Sequence, residues 1–137
     1  MKKVWIIRVI TVLYLAAVAF LCFANFSKMP DVPRTFFGIP ADKLVHFAMF
    51  LPFPVLAFFS LWPKRPGVLN TLLAIVLLFA LGCLMAWGTE YYQGMLPYRT
   101  MDPADFKADR IGLICGSIIT FIVQLFAHKK TDAKTSH

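Results

Sequence analysis

The chain has 137 residues, of which 59% are hydrophobic and only 15% charged, with a mean hydropathy of +0.70 and a net charge of +7. So apolar a chain cannot cover its own surface with polar groups, which excludes an ordinary soluble domain. Its length allows several spans of about 20 residues and little else, so a single membrane domain is expected.

The first apolar run extends from Val4 to Phe26 and follows Lys2-Lys3, as a secretory signal would. Its apolar part is longer than the ~7 to 15 residues of a signal core, and no A-x-A-like site closes it, so it is read as a retained first span. Arg8, within two turns of one end, is expected to snorkel to head groups. Ser27 to Arg34, with Pro30, Pro33 and mixed charges, is a loop. A second span runs from Ala41 or Asp42 to Trp62, with Pro40 in its first turn. Pro52 and Pro54 inside it should each remove a backbone hydrogen bond and kink the helix. After the basic turn Pro63-Lys64-Arg65-Pro66-Gly67, a third span reaches from Leu69 or Asn70 to Tyr92. The fourth opens at Asp102-Pro103-Ala104-Asp105: Asp102 suits the N-cap, Pro103 the first helical position, and Asp105 the positive end of the dipole. It is expected to end near Ala127, with a polar, frayed tail from His128 to His137.

The fold class expected is therefore all-α: a four-helix transmembrane bundle with up-down topology and spans at about 4–26, 42–62, 69–92 and 104–127. Lys2, Lys3, Arg8, Lys64, Arg65, Lys129, Lys130 and Lys134 would then share one side with a single acid, Asp132. On the other side, acids and bases balance. The positive-inside rule places the basic side, with both termini, in the cytoplasm. The excess charge reflects topology and anionic lipid, not nucleic-acid binding. Cys22, Cys83 and Cys115 lie in apolar segments without metal-type spacing and read as small apolar residues.

The remaining ionisable residues gather on the outer side. Asp42 and His46 are four apart and share a helix face, as do Glu90 and Gln93 at a spacing of three, next to the interface aromatics Trp87, Tyr91 and Tyr92. Asp102, Asp105, Asp109, Gly112 and Gly116 form one stripe on the fourth span. The Gly112/Gly116 pair admits a close helix neighbour, so the carboxylates above it should face the same neighbour. An Asp aimed at lipid is costly, and Lys43, His46, Arg99 and Arg110 are the candidate partners for Asp109.

Asp42-Lys43-Leu44-Val45-His46-Phe47, then Glu90-x-x-Gln93, Arg99, and Asp105-x-x-Ala108-Asp109-x-x-Gly112-x-x-x-Gly116, in that order, resemble the VanZ-like family of small bacterial membrane proteins. The likeness covers about residues 42 to 116 and marks Asp42, Lys43, His46, Glu90, Gln93, Arg99, Asp105 and position 109, where the family usually has Asn and this chain has Asp. It implies a multi-pass protein of the bacterial cytoplasmic membrane. The family's namesake is associated with low-level resistance to teicoplanin, a lipid-bearing glycopeptide that acts outside the membrane.

Three functions fit these residues. The first is a site that binds or modifies an amphipathic envelope molecule, such as a lipid-linked cell-wall precursor or a lipoglycopeptide. Arg99 would pair with a phosphate or carboxylate and Gln93 would orient the ligand. The second is an enzyme in which His46, Glu90, Asp105 and Asp109 do acid-base work, or Asp105 and Asp109 hold a divalent ion. No nucleophile motif, H-E-x-x-H or phosphate-cradling glycine loop supports it, and no cofactor or metal is assigned. The third is a structural partner whose polar cluster only locks the bundle, with Glu90 and Arg99 clamping the loop between them.

Overall fold

The structure, a computed structural model, describes residues 2–24, 35–98 and 101–136. The helices are α1 (Lys2–Phe23), α2 (Ala41–Phe50), α3 (Pro52–Leu61), α4 (Val68–Gln93) and α5 (Pro103–Thr135). A two-residue antiparallel pair, β1 (Thr35–Phe36) with β2 (Ile39–Pro40), precedes α2 and is the one departure from an all-helical chain among the described residues. Its tip is Phe37-Gly38, both with positive φ.

Taking α2 and α3 together, four helices are long and apolar enough to cross a membrane: Lys2–Phe23, Ala41–Leu61, Val68–Gln93 and Pro103–Thr135. At 1.5 Å per residue they measure from about 31 to 50 Å, against about 30 Å of hydrocarbon. The α2/α3 pair is the central one. Within its apolar window 44% of the residues are buried, compared with 11% in α1, and α3 contacts α1, α4 and α5. The core comprises Met49, Phe50, Phe53 and Phe58 from this pair, met by Leu78 and Ala86 of α4 and Leu113 of α5.

The expected proline effect falls at one point. Leu51 still has helical angles (φ −58°, ψ −45°) and donates to Phe47 O at 3.1 Å, but Pro52 has no N–H to continue the ladder. Pro54 then lies within the first turn of α3, where an N–H has no intrahelical partner, so it adds no second break. The interrupted segment is where α5 comes closest. A Cβ at Gly112 would stand 2.5 Å from Phe47 O, and one at Gly116 would stand 2.1 Å from Leu51 O. The glycine pair is thus a backbone-to-backbone seat for the α2/α3 junction, which aligns the carboxylate stripe of α5 with α2.

At the opposite end, Arg8 does not only reach outward: its Nε donates to Ser60 O at 3.1 Å, while Thr11 and Ser60 share a hydroxyl contact of 2.6 Å. The tail also differs from the expectation, because α5 continues through residue 135 where fraying was expected beyond Ala127. Ties to the turn before α4 explain this. Arg65 Nη1 donates to Ala127 O (3.0 Å) and Thr131 Oγ1 (3.2 Å), and His128 Nε2 bonds Pro66 O at 2.6 Å. The basic turn therefore holds the helix past its apolar part.

Candidate functional site

The site forms where α2 and α5 begin and α4 ends. His46 is five residues into α2, Glu90 three before the end of α4, and Asp109 six into α5. All three thus lie within roughly 10 Å of the same end of the bundle. The start of α5 is fixed as its sequence requires: Asp102 Oδ1 accepts from Ala104 N at 2.9 Å and Pro103 takes the first helical position. The backbone N–H of Asp102 donates in turn to Glu90 Oε1, tying the end of α4 to the start of α5.

Two polar layers follow. In the outer one, Lys43 Nζ bonds Asp42 at 2.8 Å, Asp102 at 2.5 Å, and Asp105. One ammonium thus bridges three carboxylates from two helices. Among the described residues the rim thus sets three carboxylates against one ammonium, which favours a cation or an ammonium-bearing ligand. The inner layer is buried. Asp109 is 0% and Glu90 1% exposed, with His46 and Gln93 also enclosed. His46 Nδ1 lies 2.8 Å from Asp109 Oδ1, and its Nε2 lies 3.4 Å from Asp105 Oδ2. Glu90 Oε2 and Asp109 Oδ2 have no hydrogen-bond partner among the described residues. One donor atom each from His46, Glu90 and Asp109 come within 4.8 Å of one another, and those of Asp42, Asp102 and Asp105 do the same around Lys43.

The structure brings Lys43, His46, Glu90, Asp105 and Asp109 together, with Asp42 and Asp102 at the rim. Gln93 is turned away from this group: its Nε2 donates to Cys22 O at 2.8 Å, linking α4 to the end of α1. Of the candidate partners for Asp109, His46 fills the role, Lys43 serves the rim, and Arg110 rests over the Phe106 ring at 4.7 Å. Arg99, with its expected pairing to Glu90 or to a ligand phosphate, lies outside the described residues. Of the two acids expected to share a divalent ion, Asp105 bonds Lys43 and approaches His46, while Asp109 bonds His46. The sequence reading missed the lower continuation of the stripe. Thr120 is buried and bonds Gly116 O at 2.7 Å, and Gln124, one turn further, has both amide atoms buried without a partner among the described residues. The i, i+4 spacing from Gly116 was the available signal.

Beside the rim, a groove of about 300 Å³ opens between α2 and α5, with Ile39, Leu44, Phe47, Ala108 and Ile111 as apolar walls and Lys43 at its edge. Its position next to the charged rim gives the site an amphipathic outline. Trp87 and Tyr91 stack at 5.5 Å on the exposed face of α4 near the same level.

Asp102, the one of these acids outside the four membrane-length helices, has a carboxyl held below its ordinary pKa, first by the hydrogen bond from Lys43 and then by that from Ala104 N–H. A group with a lowered folded-state pKa stabilises fully above its unfolded-state value, and that contribution disappears as the pH falls through the folded-state value. Asn is as good an N-cap as Asp, so Asp102→Asn removes the ion pair and spares the cap. The variant is expected to melt below the wild type at neutral pH, with the gap closing in acid. Thermal unfolding from pH 7 down through the carboxylate range checks this, and a gap independent of pH would mean the Lys43 contact contributes nothing.

Compared with known proteins, the chain matches no family model, no curated protein and no solved structure.

Proposed function

We propose that the chain is a VanZ-like multi-pass protein of the bacterial cytoplasmic membrane, with up-down topology and both termini cytoplasmic, whose extracytoplasmic site binds or modifies an amphipathic envelope molecule. The sequence resemblance and the one-sided basic charge support the family, the membrane and the orientation. The observation that carries the ligand class is the adjacency of a carboxylate-rich rim around Lys43 to an apolar groove of about 300 Å³. A head group bearing an amine would meet the acids while its acyl chain lies along Leu44, Phe47 and Ile111. A lipid-linked cell-wall precursor and a lipoglycopeptide of the teicoplanin type both combine a polar head with a long apolar chain. The Trp87 and Tyr91 pair would rest at the outer interface.

A second reading is favoured by the pairing of His46 with Asp109, alongside Glu90. An imidazole oriented by one carboxylate with a second acid nearby is equipped for proton transfer on a lipid-linked substrate. Turnover separates the two readings: a binder saturates at one equivalent, whereas an enzyme converts many.

The test expresses the chain in a teicoplanin-sensitive bacterial host, where the wild type is expected to lower susceptibility. His46→Gln, Glu90→Gln and Asp109→Asn are expected to leave the protein expressed and monodisperse and to abolish the protection. Full protection by all three variants, or no protection by the wild type in a host where the protein reaches the membrane, would remove the envelope-ligand reading.

A further inference from the structure

Among the described residues, the inner layer of the site holds more acid than base. Glu90 and Asp109 are both enclosed, and each has one carboxylate oxygen without a hydrogen-bond partner among the described residues. Buried carboxylate oxygens are ordinarily paired or bound to a metal. Lys43 is engaged by Asp42, Asp102 and Asp105 at the rim. Arg110 sits over Phe106. Among the described residues that leaves one imidazole, His46, between two buried acids.

We infer that His46, Glu90 and Asp109 form a binding site for a divalent first-row metal ion of the zinc class. Three observations support it. The donor types are one imidazole nitrogen and two carboxylates, a set that suits Zn²⁺ or Mn²⁺ better than Ca²⁺, which takes six to eight oxygens. A dication also balances the two carboxylate charges. The spacing is close to that of a coordination shell. Ligand atoms on a tetrahedral ion with bonds of about 2.0–2.1 Å stand about 3.3 Å apart. Here His46 Nδ1 and Asp109 Oδ1 are 2.8 Å apart, and the donor atoms of all three residues lie within 4.8 Å of one another. Asp105 Oδ2, 3.4 Å from His46 Nε2, stands next to the imidazole as an acceptor that would orient the ring. The three residues come from α2, α4 and α5, so an ion there would also cross-link the bundle at this end.

This inference goes beyond the envelope-ligand reading and does not require it, because its readout is the metal itself. The full chain, purified in detergent, is stripped with a chelator and dialysed against Zn²⁺ or, separately, Mn²⁺, and its metal content is measured by elemental mass spectrometry. The wild type is expected to retain one equivalent and to unfold at a higher temperature with the ion than without it. Glu90→Gln and Asp109→Asn are expected to weaken retention at least tenfold and to lose the metal-dependent shift. Both substitutions keep shape and remove buried charge, so neither should prevent folding. Uptake of neither ion by the stripped, monodisperse wild type overturns the inference even if a variant cannot be made. So does an undiminished equivalent in both variants, or loss of the ion on Asp42→Asn alone, which would place it at the rim.

Discussion

Gly116→Ala is expected to abolish most of the folded protein, while Gly88→Ala leaves it intact or stabilises it slightly. The two positions make a matched pair: a single methyl added to a glycine within a long apolar helix. In an open helical position this gains roughly 0.5–1 kcal/mol, since alanine loses less backbone entropy than glycine. Gly88 is such a position, with no atom within 4 Å of the added Cβ. At Gly116 the same methyl would lie 2.1 Å from the carbonyl oxygen of Leu51 and about 3 Å from the Pro54 ring. Neither neighbour is a flexible side-chain tip that could swing aside. Overpacking of this kind costs about 1–3 kcal/mol even where side chains can adjust, and more against backbone. Relief requires α5 to withdraw from α2, which separates the layers of the site as well. Monodisperse yield and resistance to denaturing detergent check the contrast, and equal behaviour of the two variants would mean that close approach at the α2/α3 junction is not needed.

The contrast also shows what the amino-acid order could and could not reveal. The four apolar segments, the cap at Asp102 and the face shared by Asp105, Asp109, Gly112 and Gly116 depend on local periodicity and end chemistry, which are properties of consecutive residues. They were legible. The choice of partner for each charge was not, because it depends on how far one helix is rotated against the next. Lys43 and His46 are three apart on α2 and were equivalent candidates for Asp109; the seating of Gly112 on Phe47 and Leu51 gives His46 to Asp109 and leaves Lys43 to the rim. Gln93 shares a face with Glu90, yet it meets the end of α1, a segment 71 residues away in the chain. The persistence of α5 past Ala127 depends equally on a distant partner, Arg65 in the turn before α4. Hydropathy alone therefore ends that helix too early.

His46→Leu, measured with a chelator present so that no metal contributes, is expected to cost far more stability than Asp109→Asn. In the wild type His46 hydrogen-bonds Asp109, which is wholly enclosed. Removing the imidazole strands a carboxylate in the interior, and losing one member of a buried ionic pair typically costs about 3–5 kcal/mol. Asp109→Asn does the reverse. It takes away the charge and keeps a side-chain oxygen that can still accept from His46, so the loss should stay near the ~1 kcal/mol of an ordinary hydrogen bond. The double variant His46→Leu/Asp109→Leu decides the interpretation. If the damage in His46→Leu comes from the stranded charge, replacing both partners by apolar residues restores most of the stability, and the cycle yields a coupling of several kcal/mol. If the two single losses simply add, the pair is not coupled and the imidazole serves packing alone. Recovery in the double variant without recovery of any antibiotic protection would then mean that the buried pair is retained for what the site does, at some cost to the stability of the bundle.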